Sequence, residues 1–245
     1  MKCLILAAGY ATRLYPLTEN YPKPLLEVKN KKILDWLIDD LETTKEISEY
    51  IVVTNHKYAS VFENWIKERN EKITLIDDGT ITNETRLGAL RDISLAVNEL
   101  KINDDLFVMA GDNVLDFSLR TFIDYFKEKK VTCIMKYYEE DLNTLKKRST
   151  IKVDSNDKVL EMLEKPSNPD SHYCCPPFYI YAKDDLKYID MCIENADSLD
   201  APGGFISYLY DKRPIYAMTM PGDRYDIGDI NSYQKVNSIY KGVIK

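Results

Sequence analysis

Three clusters in this 245-residue chain carry side chains suited to handling phosphate. The first is the run Leu6-Ala7-Ala8-Gly9-Tyr10-Ala11-Thr12-Arg13, with Lys23 shortly after it. Gly9 lets backbone approach a ligand closely, and Ala7, Ala8 and Ala11 keep the space clear. Successive backbone N–H groups in such a turn can cradle phosphate oxygens. Arg13 adds a charged fork and Lys23 a point charge. Taken alone, the pattern also describes a tight turn with two solvated basic residues, which is the commoner case. The second cluster is Ala110-Gly111-Asp112-Asn113. A carboxylate where an apolar run opens into a loop suits Mg²⁺, which takes one or two carboxylates plus phosphate oxygens. A turn or cap residue is the alternative for Asp112. The third is Glu164-Lys165-Pro166. The proline ends a strand and fixes the exit direction, so the lysine stands on a rigid element. An exposed lysine at a hairpin end is the plainer reading.

These groups need a scaffold, and the hydrophobic pattern supplies one. Cys3–Ala7, Tyr50–Thr54, Lys72–Ile76 and Asp105–Ala110 are short apolar runs of strand length. Between them, Lys32–Thr44, Tyr58–Arg69 and Leu87–Leu100 show helical spacing with one wet face. This alternation predicts an α/β fold with a doubly wound, Rossmann-like, mostly parallel sheet. In such sheets, ligands lie beyond the carboxyl ends of the strands, where the first two clusters fall. The second half is mixed. Helices are expected at 119–129, 184–195, 204–210 and 231–240. Strands are expected at 131–137, 178–182 and 214–219, with a hairpin of 150–153 and 158–163 around Asn156-Asp157. It predicts an inserted mixed α+β cap on a single domain, about 1–130 serving one ligand and about 131–245 the other.

A formal net charge of −7 gives no electrostatic footprint for duplex DNA or an anionic membrane, so neither is expected as a partner. No apolar run reaches the length of a membrane span, and the N-terminus fits no secretory signal. The five cysteines make no C-x-x-C pair, which fits reduced thiols and a cytoplasmic location. Oligomeric state is not readable from the chain.

The segment LAAGYATRLYPLTENYPKPLLEV resembles the signature of the sugar-phosphate nucleotidyltransferases, L-A-A/G-G-x-x-T-R-L-x-P-x-T-x-x-x-P-K-P-L, at nearly every fixed position. The likeness continues through Gly111-Asp112-Asn113, Glu164-Lys165-Pro166 and Tyr225-Asp226-Ile227-Gly228. It implies an enzyme that joins a nucleoside triphosphate, a pyrimidine one by preference, to a sugar-1-phosphate or similar acceptor with release of pyrophosphate. It implies triphosphate contacts at Leu6, Ala7, Ala8, Gly9 and Thr12, with Gly111 beside them. Arg13 would stabilise the leaving pyrophosphate and Lys23 would reach the α-phosphate. Asp112 and Asp226 would share a Mg²⁺ ion. Lys165 would take the acceptor phosphate and Glu164 its organic part, with Asn113 contributing. An acceptor phosphate is already a nucleophile near neutral pH, so positioning and electrostatics suffice and neither His56 nor His172 is needed.

Relatives bind the nucleobase in the loop that reads here DDGTITNETRLGA. Asn83 and Thr85 could meet a pyrimidine edge and Gly88 could admit the ring; helix capping by Asn83 or Thr85 is the alternative. The chain departs from the family pattern at three places. Asp229 stands where Thr is usual. Ser149 and Thr150 stand where a glycine usually approaches the sugar. Cys174-Cys175-Pro176-Pro177 replaces a stretch that shapes the sugar pocket. These open a second reading, a cytidylyltransferase for phosphocholine or a phosphonate. A third is a nucleotide-binding regulatory subunit without turnover, which the intact Arg13, Lys23, Asp112, Lys165 and Asp226 oppose. A Rossmann oxidoreductase is excluded by the lack of G-x-G-x-x-G. No hexapeptide repeat is present, so no acetyltransferase β-helix is expected.

Overall fold

The computed structural model describes residues 1–196 and 198–243. In chain order the elements are β1 (Lys2–Leu6), β2 (Glu27–Val28), β3 (Lys31–Lys32), α1 (Ile33–Glu42), β4 (Glu49–Thr54), α2 (Ala59–Lys67) and β5 (Ile73–Asp77). Next come α3 (Ala89–Glu99), β6 (Leu106–Ala110), β7 (Asn113–Leu115), α4 (Arg120–Lys129), β8 (Cys133–Tyr138) and α5 (Leu142–Leu145). The remainder are β9 (Ser149–Val153), β10 (Val159–Glu164), β11 (Tyr173–Cys174), β12 (Phe178–Tyr181), α6 (Ile189–Asn195), α7 (Gly204–Leu209), β13 (Tyr216–Thr219), β14 (Arg224–Asp226) and α8 (Ile230–Ile239). The expected α/β class holds. The chain forms two compact units, interleaved in sequence: 1–86 with 109–121 and 221–245, and 87–108 with 122–220.

In the first unit, β4 lies parallel between β1 and β5. Every residue of its EYIVVT run is buried, so the strand shows no polar alternation. Helix α1 buries Ile33, Leu34, Leu37, Ile38 and Leu41, one stripe at helical spacing. A second apolar cluster joins Leu14 and Leu26 of the phosphate-loop segment to Val114 of β7 and to Ile227, Val236 and Tyr240. This cluster seats β7 and β14, which pair antiparallel with Asp226 opposite Asn113. Neither three-residue strand, nor the β2–β3 hairpin, has a sequence period long enough to betray it.

The second unit is built on β8, which pairs parallel with β13 and antiparallel with β11 and β12. The hairpin β9–β10 forms as expected, and Asp157 takes the positive φ of 65° at its turn. Its register places Ser149 opposite Glu164. The expected helix over 184–195 is a 3-10 stretch at Lys183–Tyr188 followed by α6.

Candidate functional site

The expected phosphate loop leaves β1 and is pinned by buried polar groups. Asn55, just past β4, donates through Nδ2 to the Ala8 carbonyl at 2.9 Å. The buried Tyr58 hydroxyl donates to the Thr18 carbonyl at 2.6 Å, and Thr18 Oγ1 donates to the Ala11 carbonyl at 2.8 Å. Tyr10 and Thr80 share a hydroxyl–hydroxyl bond of 3.1 Å, and Thr80 donates to Asp78 Oδ1 from both N and Oγ1. Burial pushes the Asp78 carboxyl up, against those bonds. Ala11 adopts φ 47°, which turns the chain into the 3-10 stretch Thr12–Leu14. Gly9, Thr12 and Arg13 are thereby exposed, while Ala7 and Ala8 are buried. A Cβ on Gly9 would meet nothing within 4 Å, so backbone there faces open space.

Lys23 opens a second 3-10 turn, KPL, and its side chain is only 10% exposed. Its Nζ donates to Asp112 Oδ2 at 2.6 Å. Asn113 Nδ2 donates to the other oxygen, Oδ1, at 2.6 Å. Gly111 N–H donates to the Leu6 carbonyl at 3.1 Å, tying the residue before Asp112 to the end of β1. Across the β7–β14 ladder stand Arg224 and Asp226. Arg224 Nη1 donates to Asn113 Oδ1 and lies 3.8 Å from Asp226 Oδ2. The first unit therefore gathers the phosphate loop, Lys23 and both expected metal carboxylates. Asn55, Tyr58, Thr80 and Arg224 escaped the sequence reading, because only the strand register and loop course bring them here. Among the described residues no group of three or more His, Cys, Asp or Glu could hold a metal ion.

In the second unit, Ser149 Oγ donates to Glu164 Oε2 across β9–β10. Lys165 follows at φ 46°, donates its N–H to the Arg148 carbonyl at 3.2 Å, and carries a side chain 60% exposed. Its Nζ is 3.7 Å from Glu164 Oε1. Thr150 is buried, paired with Cys174, whereas Ser149 is half-buried with its hydroxyl on Glu164. Gly203 lies beside it; a Cβ there would come within 3.5 Å of Ser149 Oγ and 2.4 Å of Met162 Cε.

The family model described as nucleotidyl transferase matches residues 2–242. The chain belongs to the nucleotidyl transferase family. It is 26% identical over 255 residues to the bifunctional protein GlmU of Methanocaldococcus jannaschii, covering all of this chain and 57% of that protein. It is 25% identical over 259 residues to a UTP–glucose-1-phosphate uridylyltransferase of Synechocystis sp., covering all of this chain and 65% of that protein. The chain thus spans less than two thirds of the length of these curated relatives. Its fold is that of a UDP-glucose pyrophosphorylase solved with UDP-glucose, with a TM-score of 0.81 at 18% identity, covering 98% and 97% of the two chains. Sugar nucleotidyltransferases generally use a divalent metal ion.

Two family positions have plain local explanations. Asp229 accepts from Ser232 N–H at 2.7 Å in a capping box, so it caps α8. That bond, with the Ser232 hydroxyl and the nearby Arg13 charge, holds its carboxyl below the usual range. Gly88 has φ 89°, and a Cβ would lie 2.7 Å from the Leu199 carbonyl oxygen, so packing alone demands glycine. Thr85 closes a capping box with Thr82 over the 3-10 turn Asn83–Thr85, while the N-cap of α3 is Gly88 with no side-chain cap, so neither Asn83 nor Thr85 caps that helix. His56 bonds Asp77 through Nδ1, and His172 stacks on Tyr138. No helix among the described residues is long and apolar enough to cross a membrane, and all five cysteines are buried, with no disulfide among the described residues.

Proposed function

We propose that the chain is a nucleotidyltransferase that joins a pyrimidine nucleoside triphosphate to a sugar-1-phosphate and releases pyrophosphate, in the cytoplasm. The observation that carries this is the pair Lys23–Asp112, with Asp112 next in sequence to Asn113, the ladder partner of Asp226. The Synechocystis relative is named for UTP and glucose-1-phosphate.

The residues fit a hard divalent ion, and Mg²⁺ is the proposed one. Asp112 and Asp226 are oxygen donors with side chains 35% and 28% exposed, and the Lys23 ammonium already stands against Asp112 as a cation would. With no third carboxylate in the group, the remaining positions suit water and phosphate oxygens. When bound, the ion supplies charge neutralisation to the triphosphate. The chain's own residues do the rest. Backbone around Gly9 cradles the phosphates, and exposed Arg13 takes the charge growing on the leaving pyrophosphate. Lys23, on exchanging Asp112 for phosphate, meets the α-phosphate. Lys165 binds the acceptor phosphate, whose oxygen attacks the α-phosphorus in line. The P–O bond to pyrophosphate breaks as the new one forms, and the dianionic nucleophile requires no base. In this division residues about 1–130 chiefly serve the triphosphate, together with Asp226, and about 131–245 the acceptor.

A second reading concerns the acceptor alone. Ser149 already engages one oxygen of Glu164, which leaves the other for the acceptor's organic part. A polar group fixed at that point discriminates by about 1–3 kcal/mol, or roughly ten- to two-hundredfold. Pyrophosphate release should be measured with Mg²⁺, each nucleoside triphosphate, and glucose-1-phosphate, other hexose-1-phosphates, phosphocholine or 2-aminoethylphosphonate. Turnover with any sugar-1-phosphate supports the proposal. Highest kcat/KM with glucose-1-phosphate removes the second reading. Triphosphate binding without turnover on any acceptor would leave a regulatory subunit instead.

A further inference from the structure

Arg224 is a buried guanidinium that the reaction above does not use; its side chain is 8% exposed. It connects the two carboxylates through one amide. Nη1 donates to Asn113 Oδ1, Asn113 Nδ2 donates to Asp112 Oδ1 at 2.6 Å, and the guanidinium stands 3.8 Å from Asp226 Oδ2. Asn113 is 1% exposed, so water does not substitute for these partners. An amide has an acceptor end and a donor end. With Arg224 against Oδ1, the donor end must face Asp112. Turned over, Asn113 would set N–H against guanidinium and oxygen against carboxylate, two repulsions in place of two bonds.

We propose that Arg224 is a positioning residue for the cation site: it fixes the Asn113 amide, and thereby Asp112, and holds Asp226 beside them. This rests on the proposed function for the identity of the site. Both contacts are made by Nη1, which bonds Asn113 and lies at ion-pair distance from Asp226, in a plane that the guanidinium fixes and a freely rotating ammonium does not. Charge and position pull in opposite directions here, which makes the proposal decidable. Lys23 and Arg224 balance Asp112 and Asp226 before any cation arrives. If Arg224 served only as counter-charge, its loss would leave excess negative charge and tighten divalent binding. If it positions the ligands, its loss weakens binding.

The test is Mn²⁺ affinity by electron paramagnetic resonance in wild type, Arg224→Met, Arg224→Lys and Asn113→Ala. The protein holds the nucleoside triphosphate that supports turnover, with no acceptor present. Arg224→Met and Asn113→Ala are expected to weaken Mn²⁺ at least about tenfold, and Arg224→Lys by an intermediate factor of at least about threefold. The triphosphate KM at saturating metal should stay within about twofold, a split that general loosening would not give. Mn²⁺ affinity within twofold of wild type, or tighter, in Arg224→Met overturns the proposal. If that variant does not fold, the same result in Arg224→Lys overturns it. Absence of wild-type pyrophosphate release is a failure of the functional reading; wild-type turnover with unchanged Mn²⁺ affinity in the variants is a failure of this inference alone.

Discussion

Asp112→Asn should act on the protein twice, once before the cation arrives and once after. Before it arrives, the substitution removes a charge-assisted bond of 2.6 Å to a lysine whose side chain is 10% exposed. Such bonds contribute about 1.5–3 kcal/mol. Asp112 is 35% exposed, and solvent screening brings the expectation to about 1.5–2 kcal/mol. For a chain of this size that lowers Tm by about 3–8 °C. After it arrives, the variant lacks one of the two proposed cation ligands, and turnover should fall on the order of a hundredfold or more. Differential scanning fluorimetry with and without Mg²⁺ separates the two effects, provided Lys23→Met is run alongside. That variant loses the same bond and so a similar Tm, but keeps a carboxylate with no ammonium to displace. Its Mg²⁺-induced rise in Tm should equal or exceed that of wild type, whereas Asp112→Asn should show almost none. Wild-type rates for Asp112→Asn at low Mg²⁺, or an undiminished Mg²⁺-induced rise, would refute the assignment.

Lys165→Ala should raise the acceptor KM far more than the dissociation constant of the triphosphate measured by calorimetry; equal losses on both would place the lysine at the triphosphate. Glu49 is buried, which by itself would raise its carboxyl, but bonds from Lys2, Thr74 and Lys72 hold it at about 2. Because the folded value lies below the unfolded one, the stabilisation is present above about pH 4.5 and is lost as pH falls towards 2. Urea unfolding should therefore show Glu49→Gln less stable by up to about 3 kcal/mol at pH 7, with the gap closing through that window. Gly88→Ala forces a side chain at φ 89° into the Leu199 carbonyl and should cost about 2–4 kcal/mol by the same measurement; a loss under 1 kcal/mol would show that the α3 N-terminus shifts freely.

The parts of the fold legible in sequence were those with local signals. The α1 stripe from Ile33 to Leu41 and the apolar run Tyr50–Val53 of β4 each state their environment within a few residues. The hairpin β9–β10 announced itself through Asn156-Asp157. What stayed hidden was non-local. β7 and β14 are three residues each and owe their existence to each other and to the cluster around Val114 and Ile227. Arg224 was invisible for that reason: nothing in Asp223-Arg224-Tyr225 says that its side chain reaches an asparagine far upstream. Asp229 and Gly88 show the converse. Both sit in motif-like surroundings, yet capping of α8 and the Leu199 carbonyl explain them without a ligand.

The interleaving of the two units bears on how the protein is made. Asn113 and Arg224 are 111 positions apart, and the stretch between them is mostly the other unit. At about 5–20 residues per second, a ribosome delivers β14 roughly 6–20 s after β7. Through that interval the nascent chain owns a phosphate loop, Lys23 and Asp112 but lacks Asp226 and the guanidinium that orders Asn113. The proposed cation site is therefore completed only once β14 has emerged, however early Lys23 and Asp112 are made.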